Sequence, residues 1–371
     1  MSESEERLTK LRQNLKDVDE DILSLVRERL DIVRDIGRVK SESELPTRDY
    51  EQEKKVIDRA RDTAEEIGLD PDVGEDLLLR LIDASLQVQQ QDRLSERAPG
   101  SGCRVLIIGG AGSMGRWFTR FLTSQDYNVE IADPAGPVEG VTSHEQWKEL
   151  DLSHDVIIVT TPIRRTREIL FELAERQPDG LVFDIASVKE PVEKALRNLV
   201  EAGVNATSIH PMFGPDTDLL SGQHVAFVDL GVESAVNRAK DVFRGTMARL
   251  VDMELETHDR VIAYVLGLSH AVNILFSVTL ANSGFSIVQL REMASTTFSG
   301  QFRVARDVTR ENPHLYYEIQ ALNEYNSRAL DDLDTVLHHV QDVVDNRDEE
   351  NFTDLMEQGR TFFSGADGTP S

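Results

Sequence analysis

Among 371 residues there is one cysteine, Cys103. That excludes an internal disulfide and any thiolate metal cluster, and a reducing compartment is the expectation. Lysine is also scarce. Nine of the 40 basic residues are lysine, against 67 acidic residues and a net charge of −27. Such a balance excludes the basic footprint that non-specific nucleic-acid binding requires. The first residues, "MSESEERLTK", lack the apolar core of an export signal, so a cytoplasmic location is expected. The longest apolar run, "VIAYVLGLSHAVNILFSVTLA", is interrupted by Ser269, His270 and Asn273. A helix buried in a core or a subunit interface is expected there, and no membrane span.

What is present is a soluble globular composition, 40% hydrophobic, long enough for two or three domains. An acidic, arginine-rich and lysine-poor exterior matches proteins of salt-loving cells, where molar salt screens charge repulsion to within about 3 Å. Periodicity divides the chain. Leu8, Leu11, Leu15, Val18, Ile22, Leu25, Val26, Val33 and Ile36 repeat at helical spacing over 5–40. Two shorter helices follow, at 49–67 and 71–93, and "SERAPGSG" reads as a linker. From Arg104, six short apolar runs alternate with amphipathic helices: "RVLIIGG", "NVEIAD", "DVIIVTT", "LVFDIA", "ATSIH" and "HVAFVDL". That alternation predicts a Rossmann-type α/β domain with a mostly parallel sheet. Beyond Thr257 the pattern is helical to near Phe363. The expected architecture is multidomain: an all-α unit (1–93), a linker (94–102), the α/β domain (103–256), an all-α dimerisation domain (257–365) and a frayed tail (366–371).

The chemistry-bearing stretch is "RVLIIGGAGSMGRWFTRFL", a strand, a glycine turn and a helix in that order. Gly110, Gly112 and Gly115 have the dinucleotide spacing. Glycine there permits a tight turn and lets a pyrophosphate approach the backbone of Ser113 and Met114 at a helix N-terminus. The second strand ends in Asp133, placed to accept ribose hydroxyls and to repel a 2′-phosphate, which favours NAD over NADP. A nicotinamide ring would then point toward the carboxyl ends of later strands, which carry Thr161, Pro162 and, in "SIHPMFGPDT", His210. Ser187, in "SVKE", has two readings: N-cap of a capping box with Glu190, or a hydroxyl that orients His210.

"GGAGSMGRWF", "DIASVK" and above all "IHPMFGPD" resemble prephenate dehydrogenases of the tyrosine pathway, over about residues 103–330. The resemblance implies hydride transfer to NAD from the carbon bearing the 4-hydroxyl, with loss of the ring carboxylate as CO2. It implies His210 as the group that draws off the hydroxyl proton, Ser187 as its support, and an arginine gripping a substrate carboxylate. Arg306 fits that arginine best and Arg303 is the alternative, because one extra residue precedes "NPHLY". His258 in "THD" and His270 in "LSH" match family positions near the substrate pocket or the tyrosine-sensitive region. Tyrosine inhibition, if the family pattern holds, would act within the dehydrogenase unit.

The first helix carries Arg12, Arg29 and Lys40. Arg29 and Lys40 share a face, with alpha-carbons about 17 Å apart, whereas Arg12 is about 25 Å from Arg29. Residues 5–92 resemble the helical class of chorismate mutase, an intertwined dimer. That resemblance implies Arg12 of a second chain and Arg29 as carboxylate clamps. Lys40 and Gln89 would donate to the ether oxygen, Glu53 would take the ring hydroxyl, and Asp49 and Ser85 would complete the site. The family's Arg-Glu is Gln52-Glu53 here, so a weaker mutase is expected. The leading reading is a bifunctional homodimeric enzyme taking chorismate to prephenate and prephenate to 4-hydroxyphenylpyruvate. Arogenate as substrate, a merely structural N-terminal unit, and a non-catalytic dinucleotide sensor are the alternatives.

Overall fold

A computed structural model describes residues 3–42, 50–97, 100, 102–217, 220, 222–246 and 248–364. The chain separates into two compact units, one of residues 1–186 with 195–253 and one of residues 187–194 with 254–371.

Three helices begin the first unit: α1 (Glu3–Glu42), α2 (Tyr50–Glu66) and α3 (Pro71–Arg97). The α2–α3 turn follows from "GLDP". Gly68 takes φ +74, and Gly68 and Leu69 donate back to Glu65 and Ala64 at 3.1 and 2.8 Å, a glycine-terminated helix end. Pro71 then starts α3, where its missing N–H costs nothing. α3 continues to Arg97, into the stretch expected to be linker, because "DRLSER" consists of adequate helix formers and the first breaker is Pro99.

The sheet comprises β1 (Arg104–Ile108), β2 (Asn128–Ala132), β3 (Thr142–His144), β4 (Val156–Val159), β5 (Leu181–Asp184), β6 (Ala206–Pro211), β7 (His224–Asp229) and β8 (Arg249–Glu254). Their order is β3-β2-β1-β4-β5-β6-β7-β8. Adjacent strands from β3 to β6 pair in parallel, and β7 runs antiparallel to β6. The first six strands have the doubly wound dinucleotide order, so the order in which strands are added reverses between β1 and β4. Four helices accompany it: α4 (Ser113–Thr123), α5 (Ile163–Arg176), α6 (Glu190–Glu201) and α7 (Glu233–Phe243). The six apolar runs correspond to β1, β2, β4, β5, β6 and β7. β3 and β8 gave no apolar run, being "TSH" and the largely exposed "RLVDME".

The core lies on the sheet face bearing Val105, Ile107, Val129 and Ile131, and its aromatics come from helices (Trp117, Phe118, Phe121, Phe243) and strands (Phe183, Phe227) alike. Phe118 of α4 is fully buried and packs edge-on against Trp117 and Phe243, at 5.0 and 6.3 Å between ring centroids.

The second unit is helical: α8 (Leu255–Ile262), a π-helical turn (Ala263–Leu268), α9 (Ser269–Asn282), α10 (Ile287–Glu292), α11 (Thr296–Arg310), α12 (Pro313–Leu322), α13 (Asn326–Asp345) and α14 (Glu349–Ser364). Serine or asparagine caps start three of them. Ser286 forms a capping box with Gln289, Ser295 accepts from Phe298, and Asn312 accepts from His314 ahead of Pro313. The long apolar run forms one continuous helix from Leu255 to Asn282. It is long and apolar enough to cross a membrane by length and composition. It is only partly buried within this chain: Ile262, Ala263 and Ala271 are buried, whereas Val265, Leu275 and Val278 are exposed, Leu275 by 53%.

Replacing Phe118 by alanine removes a ring from a dense aromatic cluster. Urea unfolding of the full chain should show the sheet-bearing unit destabilised by about 3–5 kcal/mol.

Candidate functional site

At the β1–α4 turn the backbone leaves no room for side chains. A Cβ on Gly115 would stand 2.3 Å from the Gly109 carbonyl oxygen, and one on Gly110 would stand 2.4 Å from the Ile131 Cβ. Gly109, not among the expected residues, takes φ +91. Its signal was available in the doubled glycine of "GGAG". Gly112 is the N-cap of α4 and supplies no side-chain cap, and the first turn of α4 has no acidic residue. A Cβ on Gly112 would meet only the Gly109 oxygen, at 3.3 Å. The helix end above Ser113 and Met114 is thus open to an anion.

The end of β2 supplies a carboxylate. Asp133 accepts the Ala111 N–H at 3.0 Å through Oδ2 and the Ala135 N–H at 2.8 Å through Oδ1, which fixes the carboxylate beside the turn. Each oxygen retains acceptor capacity for a ribose hydroxyl. At the end of β4, the Thr160 hydroxyl donates to the Gly109 carbonyl at 3.0 Å. Thr161 lies 2.9 Å from the Thr166 hydroxyl, at the start of α5, and Pro162 is that helix's N-cap residue. Glycine turn, open helix end and anchored acid fit a dinucleotide.

His210 lies on β6, opposite Ala226 of β7, and is only 3% exposed. The strand continues through Pro211, so His210 is a strand residue, although Pro211 and Pro215 in the sequence favour a stiffened loop after Ile209. Antiparallel pairing with β7 extends the strand, and the Met212 N–H continues it to the His224 carbonyl at 2.9 Å.

In the second unit, Ser187 does not cap α6. That helix begins at Glu190, three residues later, and the N–H groups of Lys189 and Glu190 donate to the carboxylate of Asp259 in α8. An ionisable acceptor from another helix replaces the serine hydroxyl, so the expected capping box does not form. His258 is fully buried, its Nδ1 2.7 Å from Asp259 Oδ1. His270 stacks on Tyr316 with ring centroids 4.1 Å apart. Burial pushes the His270 pKa down to about 4, and its Nδ1 has no hydrogen-bond partner among the described residues. Arg303 and Arg306 are both exposed on α11, and Arg306 contacts Asp307 at 3.0 Å. Asp259 went unnoticed in the sequence because neighbours one apart on a helix point in different directions.

In the helical N-terminal part, Arg29 of α1 donates to the Ser85 hydroxyl and to the Leu81 carbonyl of α3, the latter at 2.9 Å. Two expected site residues are thereby brought together, and burial lowers the Arg29 pKa. Lys40 is half-buried on α1 and Arg12 is exposed. Asp49 lies outside the described residues, as do the side chains of Gln52, Glu53 and Gln89.

A helical unit, a doubly wound domain with a dinucleotide turn and a helical C-terminal domain define the class: a nicotinamide-dependent dehydrogenase fused to a second all-α module. Residues 11–90 match the family described as chorismate mutase type II. Residues 123–252 match the prephenate dehydrogenase nucleotide-binding domain, and 254–358 its dimerization domain. The chain belongs to the bifunctional chorismate mutase/prephenate dehydrogenase family. It is 29% identical to a T-protein of Enterobacter agglomerans over 322 residues, 86% of this chain and 83% of that protein. A chorismate mutase of Methanocaldococcus jannaschii is 30% identical over 86 residues, 23% of this chain and 87% of that protein. The fold is shared with the prephenate dehydrogenase of A. aeolicus solved with hydroxyphenyl propionate and NAD+. The TM-score is 0.58 at 21% identity, over 72% of this chain and 99% of that one.

Two measurements check this geometry. Gly115→Ala forces backbone against backbone, and fluorescence titration with NADH should show affinity reduced by about tenfold or more. His270 should remain neutral in the folded chain down to about pH 5, with its C2–H resonance titrating near pH 4. Its folded pKa lies below the unfolded value, so its neutral form contributes stability that is lost as pH falls from about 6.5 toward 4.

Proposed function

We propose that the family's two activities are divided between separate residue sets of this chain. The chain is a bifunctional enzyme of tyrosine biosynthesis, rearranging chorismate to prephenate and oxidising prephenate to 4-hydroxyphenylpyruvate with NAD. The observation that carries the oxidative assignment is His210, withdrawn from solvent on β6 of a sheet with the dinucleotide strand order.

In this reading the neutral His210 imidazole accepts the 4-hydroxyl proton as the carbonyl forms. Ser187 supports it, and Arg306 holds a substrate carboxylate, a task that would draw it away from its exposed contact with Asp307. His258 and His270 belong to the substrate-binding set. Gly110, Gly112, Ser113, Met114 and Gly115 cradle the pyrophosphate, with Thr161 and Pro162 nearer the nicotinamide end. Asp133 takes the ribose hydroxyls and disfavours a 2′-phosphate. NAD supplies the hydride acceptor. Loss of CO2 and aromatisation then make the oxidation irreversible.

The mutase needs no nucleophile. Arg29 is already tethered to Ser85, so one clamp is ordered before substrate arrives, and Lys40, Glu53, Gln89 and Asp49 complete the set. Arg12 comes from a second chain. A homodimer is supported by two apolar surfaces: the α1 stripe of Leu8, Leu11, Leu15 and Val18, and the exposed residues of α9. The acidic, arginine-rich composition supports work in a salt-loaded cytoplasm.

A dual assay tests the division. His210→Asn should reduce prephenate oxidation by about 10²–10⁴-fold, the usual weight of a general base, while chorismate rearrangement is unchanged. Arg29→Ala should do the reverse. Loss of both activities in either variant rejects independent sites.

A further inference from the structure

We propose that Asp259 is a positioning residue for the dehydrogenase. Its carboxylate sets the tautomer and orientation of His258 and ties that histidine to the segment entering α6. The inference rests on the reading of His258 as a substrate-binding residue.

The carboxylate is 1% exposed and shared among three donors. Oδ1 is 2.7 Å from His258 Nδ1 and accepts the Lys189 N–H at 2.8 Å. Oδ2 accepts the Glu190 N–H at 2.7 Å and the Lys189 N–H at 3.0 Å. The backbone of the same residue is held too, since Asn323 Nδ2 donates to the Asp259 carbonyl at 2.8 Å. All of these groups lie within one compact unit, to which residues 187–194 belong together with the C-terminal helices.

Two physical points make this more than a helix stop. Successive helical residues are rotated by about 100°, so a contact between neighbours 258 and 259 is not given by the helix itself. The α6 N-terminus, with two N–H groups converging on the carboxylate, turns Asp259 toward His258. A carboxylate only accepts, so His258 Nδ1 must carry a proton, and the acid–base state of the ring is then expressed at Nε2. One buried side chain thus couples the orientation of an imidazole to the placement of the loop that carries Ser187.

The test uses the full chain with His258→Asn, Asp259→Asn and the double variant. Asp259→Asn presents an amide donor where an acceptor is needed. The prephenate KM should rise about tenfold or more, with the NAD KM and the chorismate rearrangement rate within about twofold of wild type. On the His258→Asn background the same change should cost less than about twofold further, because the ring it orients is gone. Equal losses in both backgrounds would make Asp259 a structural helix stop and overturn the proposal. An unchanged prephenate KM in His258→Asn alone would remove the reading beneath it and so overturn it at that level. Should Asp259→Asn not fold, nitrogen-15 shifts of His258 in the wild-type chain decide. A ring protonated at Nδ1 at neutral pH supports the proposal, and a neutral ring protonated only at Nε2 overturns it.

Discussion

The close approach of backbone to backbone at the β1–α4 turn is the constraint that organises the sheet-bearing unit. The first turn of α4, the end of β1 and the end of β2 meet where Gly110 and Gly115 leave no space for a methyl group. Because no side chain intervenes, the Asp133 carboxylate reaches the Ala111 N–H, and the Thr160 hydroxyl reaches the Gly109 carbonyl from β4. The three strand ends beside the switch point are therefore locked to one turn. The same bareness leaves the α4 N-terminus without a side-chain cap, so the partial positive charge there is available to a pyrophosphate.

The C-terminal unit is organised differently. Buried and half-buried amides join its helices where apolar packing would ordinarily serve. Asn326 Nδ2 donates to the Ile319 carbonyl at 2.7 Å, Gln320 to the Gly267 carbonyl at 2.8 Å and Gln301 to Asn273 Oδ1 at 2.9 Å. The Gly267 carbonyl lies in the π-helical turn, where the regular backbone pattern is broken and an acceptor becomes available to Gln320. A Cβ on Gly267 would stand 2.1 Å from Asn326 Oδ1, so glycine is needed for that approach. Outside, many apolar side chains are exposed, Met293, Phe285 and Leu275 among them. Specific polar contacts inside thus stand beside an apolar surface outside.

Much of this was legible in order along the chain. Short apolar runs marked six strands, because strands buried on both faces cannot alternate with polar residues. The glycine spacing marked the turn, because only glycine tolerates such contacts. His210 stood out because it sits near the carboxyl end of a strand-like run, in "IHPMFGPD". The three-residue β3 and the largely exposed β8 carry too little apolar sequence to announce themselves. Of the two readings open to Ser187, the N-cap fails although "SVKE" satisfies the local rule, because the competing acceptor lies some seventy residues away.

The sequence by itself determined six of the eight strands and most of the helical stretches, which turn must be glycine, and which residue types reach the strand ends. Those follow from forces acting over a few consecutive residues. Only the tertiary structure decided that Asp259 serves the α6 N-terminus and His258 together, that Arg29 meets Ser85, and that the longest apolar helix keeps one side exposed. Such meetings depend on how distant elements pack, and no local pattern encodes the distance between groups that the chain brings together only after folding.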